Sequence, residues 1–82
     1  MHRSFALLEK KYGDPTVYLF ETKTKMACIV AIPSWNWSFC IDYSFPHEVI
    51  KSSMAKALTD RMWADDAEVL SEDIYTYVIN EM

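Results

Sequence analysis

The residues that could do chemistry in this 82-residue chain are few, and most of them fall between positions 40 and 47. Cys40 and Asp42 share one face if this segment is a strand, and His47 follows shortly after. These three side chains could ligate a metal ion, and His47 could act as a base for Cys40 or Ser44. No CxxC or HxxxH pair anchors such a site, and so small a chain offers little room for an oxyanion hole. We therefore predict no metal site, no catalytic residues and a protein that is not an enzyme.

Gly13 is the single glycine of the sequence, and this scarcity excludes a large class of functions. Loops that cradle phosphate need several glycines, because their backbone N–H groups must approach the anion closely. The Gly-x-Ser-x-Gly turn of serine hydrolases is excluded for the same reason. We expect no nucleotide-dependent chemistry and no cofactor.

Cysteine usage and hydropathy bear on where the protein works. Cys28 and Cys40 match no zinc-binding spacing, and we interpret both as small apolar groups in a reducing compartment. The apolar run at residues 5–8 is too short for the core of a signal peptide, and the run at 26–33 is too short to cross a membrane. The sequence thus predicts a soluble cytoplasmic protein, in the host-cell cytoplasm if a phage encodes it.

Size and composition predict one small domain comprising residues 1–82. With 51% apolar and 15% aromatic residues, the chain is too hydrophobic to be disordered. A core of this size supplies roughly 3–5 kcal/mol of net stability. Aromatic side chains suit such a core, but they also suit an interface, so apolar surface that the core does not use becomes the main functional signal.

The predicted element order is α-β-β-β-α-α, an α+β fold with a three-stranded antiparallel β-meander and helices packed on one face. A short helix over residues 4–12 would begin with Ser4 as N-cap and end at Gly13, although this segment could instead form an edge strand. Pro33 ends the second strand, since proline cannot donate to a ladder. The three strands, rich in β-branched and aromatic side chains, are predicted over residues 16–21, 25–32 and 37–43.

Strand alternation predicts two sheet faces of different character if the connections keep a two-residue register. The first face is almost wholly apolar and contains Val17, Leu19, Met26, Cys28, Val30, Ile32, Trp37, Phe39, Ile41 and Tyr43. The second face is mixed and contains Thr16, Tyr18, Phe20, Ala27, Ile29, Ala31, Ser38, Cys40 and Asp42. The two cysteines then lie on opposite faces, which forbids a disulfide between them.

The second face carries more apolar surface than scattered exposed residues require, chiefly Tyr18, Phe20 and Ile29. Two alternatives remain open for it. The N-terminal helix could fold over this face and bury it, or a partner could cover it. A homodimer is one form of the second alternative, because a self-complementary patch needs only one sequence.

Helical spacing predicts a helix over residues 46–63 and a last helix with Asp65 as N-cap and Glu68 completing a capping box. The last helix would turn four apolar or aromatic side chains inward, Leu70, Ile74, Tyr77 and Val78. Its solvent side would carry five acids, Asp65, Asp66, Glu68, Glu72 and Asp73.

Charge is divided unevenly along the chain. Residues 60–82 contain seven acids and one base, whereas residues 1–25 contain five bases and three acids. The net charge of −4 disfavours direct nucleic-acid binding. Acids along one helix face lie about 5–6 Å apart, close to the phosphate spacing of a nucleic acid, so the last helix could mimic nucleic acid toward a basic protein. An ordinary solvated face is the simpler interpretation.

Together these features predict a small acidic, non-catalytic protein-binding module that inhibits or regulates another protein with a basic surface. The predicted contact residues are Tyr18, Phe20, Ile29, Trp35, Asp65, Asp66, Glu68, Glu72 and Asp73. In size, acidity and aromatic content the chain resembles small inhibitors encoded by phages and mobile elements, such as anti-CRISPR and anti-restriction proteins. The alternative is a nucleic-acid-associated regulator that stacks bases on Trp35 beside the N-terminal lysines.

Overall fold

The computed structural model describes residues 1–24 and 26–81 and has the α+β architecture that the sequence predicts. The elements are β1 (His2–Arg3), α1 (Ala6–Lys11), β2 (Val17–Glu21), β3 (Ala27–Ile32), a 3₁₀ turn (Pro33–Trp35), β4 (Trp37–Asp42), α2 (His47–Leu58) and α3 (Ala64–Glu81). They form two compact units, Met1–Ser44 with the sheet and Phe45–Met82 with the last two helices. A single domain over residues 1–82 stays a prediction. Lys25, the predicted first residue of the second strand, lies outside the described residues.

The sheet has four antiparallel strands in the order β1-β2-β3-β4, one more than the sequence predicts. The additional strand β1 pairs His2 with Tyr18 and Arg3 with Val17. The backbone N–H of Leu19 also donates to the carbonyl oxygen of Met1 at 2.9 Å. Two residues are too few to show strand alternation, so no sequence pattern predicts β1.

The predicted register of the three longer strands is confirmed: Leu19 pairs with Val30, and Val30 pairs with Phe39. On the resulting inner face, six side chains are at most 1% exposed, namely Val17, Leu19, Cys28, Val30, Ile32 and Ile41. On the outer face, Phe20 and Ile29 keep 52% and 41% of their surface exposed. Alternation therefore separates a largely buried face from a more open one. Met26, predicted on the first face, lies before the start of β3 and is 64% exposed, so its placement is wrong.

The two cysteines should differ sharply in reactivity because they lie on opposite faces of the sheet. Cys40 is exposed, whereas Cys28 is buried, and burial together with the nearby Glu21 carboxylate raises the pKa of the Cys28 thiol. We expect folded protein to take up one equivalent of iodoacetamide, at Cys40, and urea-unfolded protein to take up two. Peptide mass mapping measures this, and alkylation of Cys28 in folded protein would contradict the register.

Helix α1 is shorter than predicted and begins differently. Its N-cap residue is Phe5, and the prediction of Ser4 as N-cap is wrong. The hydroxyl of Ser4 instead donates to Oδ2 of Asp14 at 3.2 Å, a bond between residues that no local pattern relates. Gly13 lies at φ 75°, the left-handed conformation that commonly follows a helix and that glycine adopts without strain.

A 3₁₀ turn connects β3 to β4 and sets the position of Trp35. Pro33 fits its first position, where a backbone N–H is not needed. Asn36 ends the turn at φ 52°, and its N–H donates to the carbonyl oxygen of Pro33 at 2.9 Å. Asparagine is one of the residues that tolerate this left-handed conformation. Trp35 is thereby held half-buried at one end of the β3–β4 hairpin.

Helices α2 and α3 pack together in the second unit. The rings of His47 and Tyr75 pack edge-to-face with their centroids 5.2 Å apart. Nζ of Lys51 lies 3.0 Å from Oε2 of Glu72. Each helix buries a stripe at four-residue spacing: Ile50, Met54 and Leu58 on α2, and Leu70, Ile74 and Val78 on α3. These stripes follow the predicted helical periodicity.

The ends of these helices differ from the prediction. Helix α2 ends at Leu58 rather than at position 63, and α3 begins at Ala64. Asp65 therefore lies in the first turn of α3, and the prediction that it is the N-cap is wrong. The backbone N–H of Ala67 donates to the carbonyl oxygen of Trp63 at 2.8 Å, which starts the helix two residues earlier than the capping-box pattern suggested.

Two side chains of α3 face differently from the prediction. Tyr77 is only half-buried, whereas Tyr75 is 5% exposed. Asp66, predicted on the solvent side, is 8% exposed. It lies one turn before Leu70, so helical geometry places it beside the buried stripe rather than with the other acids.

Candidate interaction surface

The outer patch, defined as Tyr18, Phe20 and Ile29, is an open aromatic and aliphatic surface on the outer face of the sheet. Phe20 lies directly opposite Ile29 in the β2–β3 pair. The rings of Tyr18 and Phe20 stack with centroids 6.3 Å apart and planes 4° from parallel. Strand geometry fixes these side chains on one face, because residues two apart on a strand point the same way. The patch is therefore formed by neighbouring side chains of two paired strands.

The N-terminal segment leaves the outer patch open. Its first residues pair with the edge of β2, where the ring of His2 lies 5.7 Å from that of Tyr18. Phe5, just before α1, and Leu8, within it, are buried, yet Phe20 and Ile29 remain largely exposed. Of the two alternatives that the sequence left open, cover by the N-terminal helix is thus wrong for these two side chains.

A second surface, which we term the aromatic groove, lies beside the 3₁₀ turn. Trp35 and Tyr12 meet edge-to-face there, with ring centroids 5.9 Å apart and an interplanar angle of 72°. The groove has a volume of about 530 Å³ and is lined by Tyr12, Gly13, Asp14, Pro15, Thr16, Tyr18, Pro33, Ser34 and Trp35. Tyr18 belongs to both surfaces, so the structure connects Trp35 with the outer patch.

Charge in the aromatic groove is negative. Asp14 carries the one charged side chain among the nine lining residues, and its Oδ2 accepts the hydroxyl of Ser4. Phosphates of a nucleic acid would meet a carboxylate here rather than a lysine or arginine. The groove thus lacks the basic lining that base stacking on Trp35 would require.

The acidic residues predicted as a contact surface lie on α3, in the second unit. Asp65, Glu68, Glu72 and Asp73 are exposed, but Asp66 is buried, so the predicted set of five is not a single surface. Glu72 pairs with Lys51. Lys51 and Lys56 also line the same α2–α3 groove as Glu68 and Glu72, which makes this side of the helix mixed in charge.

A polar cluster closes the end of the inner face where Tyr43 meets β2. The hydroxyl of Tyr43 donates to Oε2 of Glu21 at 3.4 Å, and Glu21 pairs with Cys28 across the strands. Burial, followed by the nearby Cys28 and Glu21, raises the pKa of the Tyr43 hydroxyl. Both Tyr43 and Cys28 therefore stay protonated at neutral pH, and neither is an activated nucleophile.

Asp42, one of the residues with potential metal chemistry, is engaged in a local turn. Its Oδ1 accepts the hydroxyl of Ser44 at 2.7 Å and the Ser44 backbone N–H at 2.9 Å. The bond from the Ser44 hydroxyl has the larger effect and the bond from the backbone N–H the smaller, and both lower the pKa of the Asp42 carboxyl below its usual value. Among residues 1–24 and 26–81, no three His, Cys, Asp or Glu side chains are grouped so that they could hold a metal ion.

Ser44→Ala should raise the pKa of Asp42 toward its usual value, because it removes the stronger of the two hydrogen bonds to the carboxylate. Folding favours the ionised form, so the stabilisation from this turn is present at neutral pH and is lost as the pH falls through the lowered pKa. NMR titration of the carboxyl resonance measures the change. Ser38→Ala, at another exposed serine, should leave the pKa unchanged, and an equal pKa in all three proteins would contradict the assignment.

The YueH-like protein family matches residues 6–80, which include every predicted contact residue. The chain belongs to this YueH-like family. No curated protein and no solved structure gives a significant match. In the part of this YueH-like chain that the structure describes, every helix is too short or too polar to span a lipid bilayer.

Sequence reasoning found the outer patch but missed most of the aromatic groove. Tyr12, Asp14 and Pro15 come from the end of α1 and the loop after it, whereas Pro33 and Trp35 come from the 3₁₀ turn. Alternation within a strand predicts which residues share a sheet face, but it does not relate two loops distant in sequence. The one sequence signal for the groove is that each of these two turns contains a proline close to an aromatic residue.

Proposed function

We propose that this YueH-like chain is a non-catalytic protein-binding module whose main contact surface is the outer patch. The observation that carries the proposal is the exposure of Phe20 and Ile29, 52% and 41%, as a direct cross-strand pair beside the stacked ring of Tyr18. Aromatic side chains are enriched among the residues that dominate binding energy in protein interfaces. An exposed apolar patch on the face of a sheet suits a protein surface better than a small molecule, which favours concave sites.

The exposed acids of α3 support a partner with a basic surface. Asp65, Glu68 and Asp73 extend into solvent, and like-signed charges of this kind accelerate encounter with an oppositely charged protein. Close mimicry of nucleic acid is less well supported, because Asp66 is buried and Lys51 neutralises Glu72. We therefore assign steering to these acids and the binding energy to the outer patch.

A module of this kind acts on its partner by blocking or recruiting it, and we propose the role of inhibitor or regulator. The nucleic-acid-associated alternative has weaker support, since the groove around Trp35 contains a carboxylate. It makes a distinct prediction, which is retention on DNA or RNA at low salt with a steep loss as salt is added. Retention that withstands salt would fit the protein-binding proposal instead.

Two double variants with matched exposed apolar side chains test the proposal. Phe20→Ser/Ile29→Ser removes the outer patch, and Val69→Ser/Ile79→Ser removes side chains that are 50% and 48% exposed on α3. Affinity capture from cells of the source organism, quantified by mass spectrometry, compares both with the wild type. We expect the first variant to lose its specific partner, with affinity falling about tenfold or more, and the second to retain it. Equal retention by all three proteins would contradict the proposal.

Light scattering of the same three proteins tests whether the partner is a second copy of the chain. A homodimer through the outer patch would dissociate in Phe20→Ser/Ile29→Ser and persist in Val69→Ser/Ile79→Ser. A wild-type monomer at high concentration would leave a different protein as the occupant of the patch.

A further inference from the structure

We propose that the aromatic groove binds a proline-rich peptide in the polyproline II conformation, with a basic residue next to the prolines. The inference rests on the proposed function, because it names the chemical class of segment that a protein-binding module of this kind would take. It concerns the groove beside Trp35 rather than the exposed pair Phe20 and Ile29, so the two can be tested separately.

The walls of the groove have the composition that polyproline II segments bind. Trp35 and Tyr12 meet at 72° and so form a corner between two ring planes, and Tyr18 lines the same groove. Proline-rich segments dock into aromatic-lined grooves, and their preformed helix loses little conformational entropy on binding. The groove is open to solvent and about 530 Å³ in volume. It can therefore admit a passing chain rather than enclose a small molecule.

Two residues that line the groove carry hydrogen-bond donors that a peptide backbone could use. Within the described part of the chain, neither the indole N–H of Trp35 nor the hydroxyl of Tyr18 has a hydrogen-bond acceptor. A polyproline II chain has no internal hydrogen bonds, so its carbonyl oxygens are available to such donors. Proline itself contributes no N–H that would require an acceptor in the groove.

The charge in the groove indicates what should flank the prolines. Asp14 is exposed and is the one charged residue among those that line the groove. A carboxylate next to apolar rings favours an arginine, which can bond the oxygens and stack on an aromatic face. The structure thus selects a peptide that combines prolines with a positive charge and disfavours one with an acidic flank.

The experiment titrates the full chain with a peptide of one arginine followed by eight prolines and follows the indole N–H signals by NMR. The Trp35 signal should shift and saturate, while the signal of Trp63, which is 80% exposed and is not among the residues that line the groove, should not move. Replacing the prolines by alternating glycine and serine should abolish the shift, and replacing arginine by glutamate should weaken binding. No saturable shift, or equal binding of the glycine–serine peptide, would overturn the proposal.

Variants assign the binding to particular groups. Trp35→Ala should weaken binding about tenfold or more, and Trp63→Ala should leave it unchanged. Asp14→Asn suits the left-handed backbone at φ 55°. It should weaken the arginine peptide but not a peptide of prolines alone. If Trp35→Ala does not fold, Trp35→Phe keeps a ring while removing the indole donor, and unchanged affinity in both Trp35→Phe and Asp14→Asn would overturn the proposal.

The Phe20→Ser/Ile29→Ser variant separates this inference from the proposed function. It should retain the peptide at wild-type affinity, because neither residue lines the groove. If the wild-type chain does not bind the peptide but captures its partner through the outer patch, the groove proposal alone is overturned. If the peptide binds while Phe20→Ser/Ile29→Ser captures the same partner as the wild type, or the wild type captures none, the role of the outer patch is overturned and the groove is left as the binding site.

Discussion

Replacing Val30 by serine should unfold much of the protein at room temperature, whereas the same change at the adjacent Ile29 should leave it folded. Val30 has no exposed surface and lies in β3, between Leu19 and Phe39. Ile29 points to the outer face and is 41% exposed. Comparing Val30→Ser with Ile29→Ser therefore isolates the effect of side-chain burial, because the two residues are neighbours in the same strand.

The expected magnitudes follow from transfer and hydrogen bonding. Removing the buried methyl groups of Val30 and burying a serine hydroxyl in an apolar site costs about 2–4 kcal/mol together. A chain of this size has a net stability of roughly 3–5 kcal/mol, so the change removes most of it. Ile29→Ser loses strand propensity and partial burial, about 1 kcal/mol or less.

Urea unfolding followed by circular dichroism measures both variants against the wild type. We expect the midpoint of Val30→Ser to fall close to zero denaturant and that of Ile29→Ser to fall slightly, with similar slopes. Val30→Ala separates the two costs, since it leaves a cavity without a hydroxyl. Equal destabilisation by Ile29→Ser and Val30→Ser would mean that the two faces are not distinguished by burial, against the register of the sheet.

The sheet could be predicted because its information is local. Alternation along each strand, combined with consistent registers, was enough to assign both faces of β2, β3 and β4. The same reasoning failed for β1, because this strand has only two residues, His2 and Arg3, which cannot show alternation. It also failed for Ser4, whose hydroxyl donates to Asp14, beyond the far end of α1, rather than capping that helix.

The candidate surfaces divide in the same way. The outer patch consists of neighbours on two paired strands, so its residues were predictable from the register. The aromatic groove brings Tyr12 to Trp35 through the turn after α1 and the 3₁₀ turn, and this proximity depends on the tertiary fold. The left-handed backbone at Gly13, Asp14 and Asn36 shapes those turns. A sequence pattern suggests that a turn exists but not where the turn places its aromatic neighbours.

Asp66→Ala should destabilise the protein markedly more than Asp65→Ala, although the capping-box pattern had given the structural role to Asp65. Both acids lie in the first turn of α3, where the positive end of the helix dipole favours a carboxylate. Asp66 is 8% exposed, whereas Asp65 is exposed. The low dielectric around a buried carboxylate strengthens its polar interactions. Removing the carboxylate leaves its interaction partners unsatisfied.

We expect Asp66→Ala to lower the free energy of unfolding by about 1–3 kcal/mol and Asp65→Ala by about 0.3–1 kcal/mol. Urea unfolding at low and high salt measures the difference, because salt screens an exposed charge far more than a buried one. The loss in Asp66→Ala should therefore persist at high salt, while the loss in Asp65→Ala should shrink. A larger loss in Asp65→Ala would restore it as the cap of α3 and return Asp66 to the exposed acidic surface that steers a basic partner.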